Sequence, residues 1–322
     1  MKEEKQFGKF NEELNRREFL KSMACAASGL LFTVNGGIPH RFNLLSSEGN
    51  DAARESSFSF VQISDSHIGF NAEPNRQVLQ TFSGAVAKIT KSETKPDLVL
   101  HTGDITHNGR EEEFESADQV LKQLHSERYF VPGERDVLPD NGKSYRNRFG
   151  KNSKGDGWYS FDHKGVHFVG LVNVMDYKVG ECPSLGGIQL EWVEKDLAPL
   201  KDSNPIVVFS HVPLWLACSE WGWGTRDGER ALNFLRRFGS VTVLNGHVHQ
   251  SMQKIEGNIT FHSARSTAYP LPAPKTATSP DPITIAASSL KSLLGISNIQ
   301  YFQDDPRLTV IDTSLAYSDG LL

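Results

Sequence analysis

The sequence predicts an α/β fold, and three observations carry that class. Short β-rich apolar runs recur along the chain, the first of them Phe58-Ser59-Phe60-Val61-Gln62-Ile63. The early runs each lead through a polar tip into a stretch with apolar residues at helical spacing. At 322 residues, 38% hydrophobic and 23% charged, the chain is long enough to bury a large core. In open sheets of this kind ligands gather at the carboxyl ends of the strands, where the polar tips fall.

Residues 1–40 read as a segment outside the fold. Asn15-Arg16-Arg17-Glu18-Phe19-Leu20-Lys21 precedes a weakly apolar run, Met23 to Val34, which is too short to span a bilayer as an ordinary helix. The pattern resembles a twin-arginine export signal. That implies a periplasmic or extracellular protein, the twin-arginine export machinery as a transient partner, and metal acquired in the cytoplasm. A frayed amphipathic helix capped by the arginines is the alternative. Residues 41–57 read as a polar linker.

The folded domain is expected over residues 58–265. After the first strand comes a helix from Arg76 to Ile89, then a strand, Pro96-Asp97-Leu98-Val99-Leu100-His101. Glu111 to Leu124 is a charged amphipathic helix, and Arg128-Tyr129-Phe130-Val131 a third strand. Two runs, Gly157 to Asp162 and Val166 to Val172, flank the tight turn Asp162-His163-Lys164-Gly165 and predict an antiparallel hairpin. A helix over Leu190 to Leu200, a strand over Pro205 to Phe209 and a helix over Glu229 to Phe238 follow. Val241 to Leu244, Ser251 to Glu256 and Asn258 to His262 complete a second sheet. Residues 266–322 read as a Pro-rich extension packing on the domain: an extended stretch from Pro270 to Pro282, a short helix over Ile283 to Leu294, and an edge strand at Leu308-Thr309-Val310-Ile311.

The formal net charge is −5 and the basic residues are not striped, so nucleic acid is excluded as a main partner. Cys25 lies in the export segment. Cys182 and Cys218 remain, to pair in an oxidising compartment or to stay as thiols. Nothing in the sequence sets an oligomeric state.

The strand tips carry the chemistry: Asp65 and His67, Asp104, Glu134, His211, and His247 with His249. Carboxylate and imidazole ligands without thiolate suit Fe, Mn, Zn or Co rather than a structural zinc site. Seven ligands exceed the needs of one tetrahedral ion, so two ions are expected. A shared carboxylate would hold them roughly 3.5 to 4 Å apart, the spacing for in-line displacement at phosphorus. Singly, each tip is an ordinary cap, turn or core histidine; together and in order they form a set.

That order, Asp-x-His, Gly-Asp-x-x-His, Gly-Glu-Arg-Asp, His, Gly-His-x-His, resembles the calcineurin-like metallophosphoesterases over roughly Phe58 to His262. Gly103-Asp104-Ile105-Thr106-His107-Asn108-Gly109 and the acidic helix after it are similar to the branch with class III cyclic nucleotide phosphodiesterases and glycerophosphodiesterases. The resemblance implies a four-layer α/β/β/α sandwich and a dinuclear centre of Fe, Mn or Zn. Asp65, His67 and His249 would hold one ion, His211 and His247 the other, with Asp104 between them. A hydroxide between the ions would attack a phosphomonoester or phosphodiester.

The third motif departs from the family pattern Gly-Asn-His-Asp/Glu. Glu134 replaces the amide ligand and can still bind the second ion. Arg135 replaces a histidine placed to protonate the leaving oxygen; a guanidinium can clamp phosphate but cannot act as a general acid. The expectation is a preference for acidic leaving groups, with His107 as another proton source or a partner of the ligands. The loop Trp215 to Asp227 offers Trp221 and Trp223 for contact with substrate, or as a plug over the sheet edge. A catalytically weakened metal- or phosphate-binding protein of the same fold, or hydrolysis of another phosphate bond, are the alternatives.

Overall fold

The computed structural model describes Leu30–Asn35, Ile38–Asn43 and residues 57–303 and 305–316. The chain divides into two compact units, Met1–Asn50 with Tyr317–Leu322, and Asp51–Ala316. In the first unit, β1 (Leu30–Asn35) and β2 (Ile38–Asn43) pair antiparallel, so part of the stretch read as an export segment lies in a strand. Arg16 and Arg17, and all but the last residue of the polar linker after β2, fall outside the described residues. Among the described residues no helix is long and apolar enough to cross a membrane.

The second unit holds two mixed sheets. In the first, β3 (Phe58–Ile63), β4 (Leu98–His101) and β5 (Glu127–Phe130) run parallel, and β12 (Gly295–Phe302) and β13 (Asp305–Ser314) add antiparallel beyond β3, giving the order β13-β12-β3-β4-β5. In the second, β7 (Val166–Gly170), β8 (Ile206–Ser210), β9 (Val241–Asn245) and β11 (Ile259–Ser263) are parallel. The antiparallel β6 (Tyr159–His163) and β10 (Met252–Glu256) close its two edges.

Side chains two apart on a strand share a face, and the buried sets separate accordingly. Phe58, Phe60, Leu98 and Leu100 of the first sheet meet Phe168, Val207, Phe209 and Leu244 of the second in one core between the sheets. Burying each of the large ones contributes about 1.5–3 kcal/mol. The alternate residues Val61, Ile63 and Val99 face outward onto α1 (Val78–Thr90) and α2 (Glu111–Leu121) through Phe82, Val86, Phe114 and Leu121. On the other side Val169, Val208 and Val243 pack against α5 (Gly187–Leu197) and α6 (Gly228–Leu235). The result is an α/β/β/α sandwich.

Three elements go beyond the sequence expectation. Two are the short helices α3 (Glu134–Val137) and α4 (Lys143–Phe149), which follow β5. The third is β12, which lies between β3 and β13 in a stretch where no strand was expected. Its alternation is broken by Ser297, buried because its hydroxyl donates to Asp312 at 2.7 Å, and by Asn298, which donates to Thr313. Residues 270–282 run without helix or strand, followed by α7 (Ala287–Leu293).

Candidate metal centre

Every ligand-type residue singled out in the sequence follows one of the strands β3, β4 and β5 of the first sheet or β8 and β9 of the second, strands that run parallel within their sheets. The chain turns sharply at these tips. Among the described residues nine non-glycine positions have φ between 42° and 70°, and Asp65, His67, Asp104, His247 and His249 are five of them. Left-handed backbone costs such residues on the order of 1–3 kcal/mol each and persists only where the surroundings impose it.

The surroundings do impose it. The amides of Asp65, His67 and Ile68 donate to the carbonyls of Gly103, Asp104 and Ile105 at 2.9–3.0 Å, zipping the β3 and β4 tips together. The Asp136 carboxylate accepts from the amides of Gly133, Ile105 and Thr106 and from the Thr106 hydroxyl, joining the β4 tip to α3. Burial nevertheless pushes its pKa up to about 6. Gly133 is required by close approach, since a Cβ there would sit 2.0 Å from Asp104 Oδ1. The Asp65 carboxylate accepts from the amide of His247 at 3.2 Å, which ties the two sheets together at the site.

Three groups of side chains each place their ligand atoms within 4.8 Å of one another: Asp65, His67 and His249; Glu134, His211 and His247; and Asp65, Asp104 and His211. All seven residues are buried. Asp104 Oδ2 lies between the first two groups, 3.5 Å from His67 Nε2 and 3.7 Å from His211 Nε2, while its Oδ1 accepts from the Arg135 amide at 2.9 Å. His247 and His249, one residue apart, thus belong to different groups, and Val248 between them is fully buried.

The tautomers follow from the outer nitrogens. His249 Nδ1–H donates to the Tyr269 carbonyl at 2.6 Å and His211 Nδ1–H to the Thr102 carbonyl at 2.7 Å, so both Nε2 atoms turn inward. His249 Nε2 meets His67 Nε2 at 3.1 Å, and His211 Nε2 meets Glu134 Oε2 at 3.0 Å. The His249 Nε2 thus faces another imidazole nitrogen, and the His211 Nε2 a carboxylate oxygen. His247 Nε2 is buried without a hydrogen-bond partner among the described residues. Groups of this kind are satisfied by a cation, and the residues fit a divalent metal.

The electrostatics agree. Burial opposes ionisation of Asp65, but the imidazole of His249, then His211 and His67, hold its carboxyl well below the usual range. Burial also opposes charge on Glu134, and His247 and His211 outweigh it. Asp104 is pushed well above its ordinary value by burial and by Glu134. Burial disfavours a charged His211, yet Asp104 and Glu134 hold its pKa well above normal. A metal bound here would compete with protons for Asp104 and His211.

His107 lies beside the centre, its Nδ1 3.3 Å from His67 Nδ1, with its pKa lowered to about 4 by burial and by the Arg135 guanidinium. It is placed to orient His67. Arg135 is half-buried, and its guanidinium makes no hydrogen bond or ion pair among the described residues. Trp223 is 1% exposed, edge-on to Trp221 at 4.9 Å, in a loop closed by reciprocal backbone bonds between Cys218 and Trp223. For Trp223 that is the environment of a plug, while Trp221 stays partly exposed. Cys182 and Cys218 are free thiols.

Two neighbours of the centre were not singled out in the sequence. Tyr269 stacks on His67 and lies tilted against His249, each at 4.8 Å between ring centroids, and Tyr177 stands edge-on to His247 at 5.9 Å. Both come from connections after strands, where a lone tyrosine carries no spacing signal.

An α/β/β/α sandwich with buried carboxylate and imidazole triads at one sheet edge is the framework of a metal-dependent phosphoesterase. The calcineurin-like phosphoesterase profile matches residues 58–251, and the chain belongs to that family. It is 26% identical over 226 residues to a probable glycerophosphodiester phosphodiesterase of Arcobacter nitrofigilis, covering 65% of this chain and 78% of the relative. It is 24% identical over 221 residues to a 3',5'-cyclic-nucleotide phosphodiesterase of a Nostoc species, covering 66% and 79%. A dimetal phosphatase from Danio rerio shares the fold at 15% identity and a TM-score of 0.59, over 80% of this chain and 96% of that one.

Proposed function

We propose that the protein is a dinuclear metal-dependent phosphoesterase that hydrolyses phosphomonoesters or phosphodiesters and favours good leaving groups. The observation that carries this is the position of Asp104 Oδ2 between the triads Asp65/His67/His249 and Glu134/His211/His247. In this reading each triad holds one ion and Asp104 is shared. Bound ions supply an activated water and neutralise charge on the phosphoryl oxygens. The backbone holds the ligands in place through the His249–Tyr269 and His211–Thr102 hydrogen bonds. The Arg135 guanidinium, without a partner among the described residues, binds a phosphoryl oxygen and steadies the charge that builds there.

The phosphodiesterase and phosphatase relatives support this chemistry. Protein loaded with Mn, Fe or Zn should cleave mono- and bis-nitrophenyl phosphate; cleavage of neither sinks the enzymatic reading. That result would favour a phosphate-binding protein, the second reading that Arg135 invites. We further propose export through the twin-arginine route, on the Arg16-Arg17 pattern. Fractionation of cells making the full chain tests it: Arg16→Lys with Arg17→Lys should hold the protein in the cytoplasm, and equal export of both forms rejects the route.

A further inference from the structure

Ester hydrolysis leaves negative charge on the departing oxygen, and Arg135 can neither protonate it nor, while it binds a phosphoryl oxygen, serve as its hydrogen-bond donor. Some other donor has to meet that oxygen. Apart from the guanidinium, the polar tips beside the centre that lack a hydrogen-bond partner among the described residues include the hydroxyls of Tyr177 and Tyr269. Tyr269 is committed to packing: 5% exposed, its ring lies against Phe70 at 4.4 Å and His67 at 4.8 Å. His107 turns its Nδ1 toward His67, where it orients a metal-ligand candidate.

Tyr177 is different. It is half-buried, edge-on to His247, and the charges that bear most on its hydroxyl are those of Glu134, Asp104 and Arg135. Its ring therefore borders the second triad and, unlike that of Tyr269, stays partly open to solvent. The segment that carries it is stapled: the Asp176 carboxylate accepts from the Ser184 amide at 2.8 Å, the Ser184 hydroxyl at 2.7 Å and Arg226 Nη2 at 2.9 Å, and the Tyr177 amide donates to the Val174 carbonyl. A donor held this way costs little reorganisation when charge develops.

We propose that the Tyr177 hydroxyl donates a hydrogen bond to the leaving-group oxygen and thereby lets this site hydrolyse alkyl phosphate esters as well as aryl ones. The proposal rests on the phosphoesterase reading. In the reaction a water oxygen bonds to phosphorus as the ester P–O bond breaks. The attacking water gives up one proton to solvent, the released alkoxide takes one from solvent and Tyr177 keeps its own, so a phosphodiester yields the phosphomonoester and the alcohol.

The test compares wild type with Tyr177→Phe, both loaded with the same metal, on phosphodiesters whose leaving groups run from nitrophenol to simple alcohols. Metal content, melting temperature and affinity for inorganic phosphate are measured on both. The expected result is a loss in kcat of about 10²-fold on alkyl esters, the scale of one lost oxyanion donor. On nitrophenyl esters the loss stays below about threefold, because a good leaving group needs little help. Metal content, melting and phosphate affinity are unchanged. Equal losses on both ester classes, or no loss on alkyl esters, overturn the role of Tyr177 while leaving the phosphoesterase reading standing. A wild type that turns over no ester overturns both.

Discussion

Replacing Asp104 with Asn separates what the centre needs with metal from what it needs without. The amide keeps the size of the carboxylate and can still accept the Arg135 amide, now 2.9 Å from Oδ1. The atom at Oδ2, which faces His67 Nε2 at 3.5 Å and His211 Nε2 at 3.7 Å, changes from a charged acceptor to a donor. Loss of a mere outer partner of a metal ligand typically weakens binding about 10–100-fold, so loss of the shared carboxylate should exceed ~100-fold, about 2.7 kcal/mol. At roughly 2–4 °C per kcal/mol for a unit of this size, the rise in Tm on adding metal should shrink by about 5–10 °C.

The chelated protein should move the other way. Asp104 has a pKa raised by burial and by Glu134. A carboxyl with a raised folded pKa destabilises the fold at pH values above its unfolded value, since the unfolded chain gives up the proton more readily. The penalty grows as pH rises through the raised value, and Asn removes it, so chelated Asp104→Asn should melt at or above chelated wild type near pH 7. Differential scanning calorimetry with and without chelator reads both effects. A variant that melts lower than wild type in chelator, or that keeps the full metal-induced shift, would refute the placement of Asp104 among the ions.

Arg135→His should raise activity on alkyl esters by more than on nitrophenyl esters, within the roughly 10²–10⁴ range of general-acid help; an equal change on both removes the leaving-group account of Arg135. Gly133→Ala pushes a methyl to 2.0 Å from Asp104 Oδ1 and should lower metal affinity by at least about tenfold, read by competition with a chromogenic chelator; unchanged affinity would mean the α3 tip yields freely. Metal binding should release protons, because ligands bind deprotonated and the pKa values of both Asp104 and His211 are raised in this site. Affinity should then fall as pH drops, by up to about tenfold per unit for each proton displaced, and calorimetry in buffers of different ionisation enthalpy counts them. Buffer-independent heats would contradict those raised values.

The parts of this site that show in the sequence are those fixed by local geometry. His247 and His249 are separated by one residue just past β9, and the left-handed bend there turns both imidazoles into the site. Asp65 with His67 and Asp104 sit directly after apolar runs, so the end of each strand marks the ligand. The layers were legible for the same reason, since Phe60 and Val61 face opposite ways on one strand. What did not show depends on distant partners. β12 is hidden because Ser297 is buried through a hydroxyl bond to Asp312, and polarity alone reads as exposure. Tyr177 and Tyr269 reach the centre only through the packing of connections that follow different strands. The tryptophan loop had two readings, and the 1% exposure of Trp223 comes from its neighbours rather than from its Gly-rich sequence.

The ligands come from both sheets: Asp65, His67, Asp104 and Glu134 follow β3, β4 and β5, while His211, His247 and His249 follow β8 and β9. Each triad draws on both, so an ion bound in either would rivet one edge of the sandwich across its apolar seam. Opening that seam would then require losing the ion, and amide exchange along β3, β4, β8 and β9 should slow together on loading and quicken together on chelation. If exchange slowed in one sheet alone, the rivet would have to lie elsewhere.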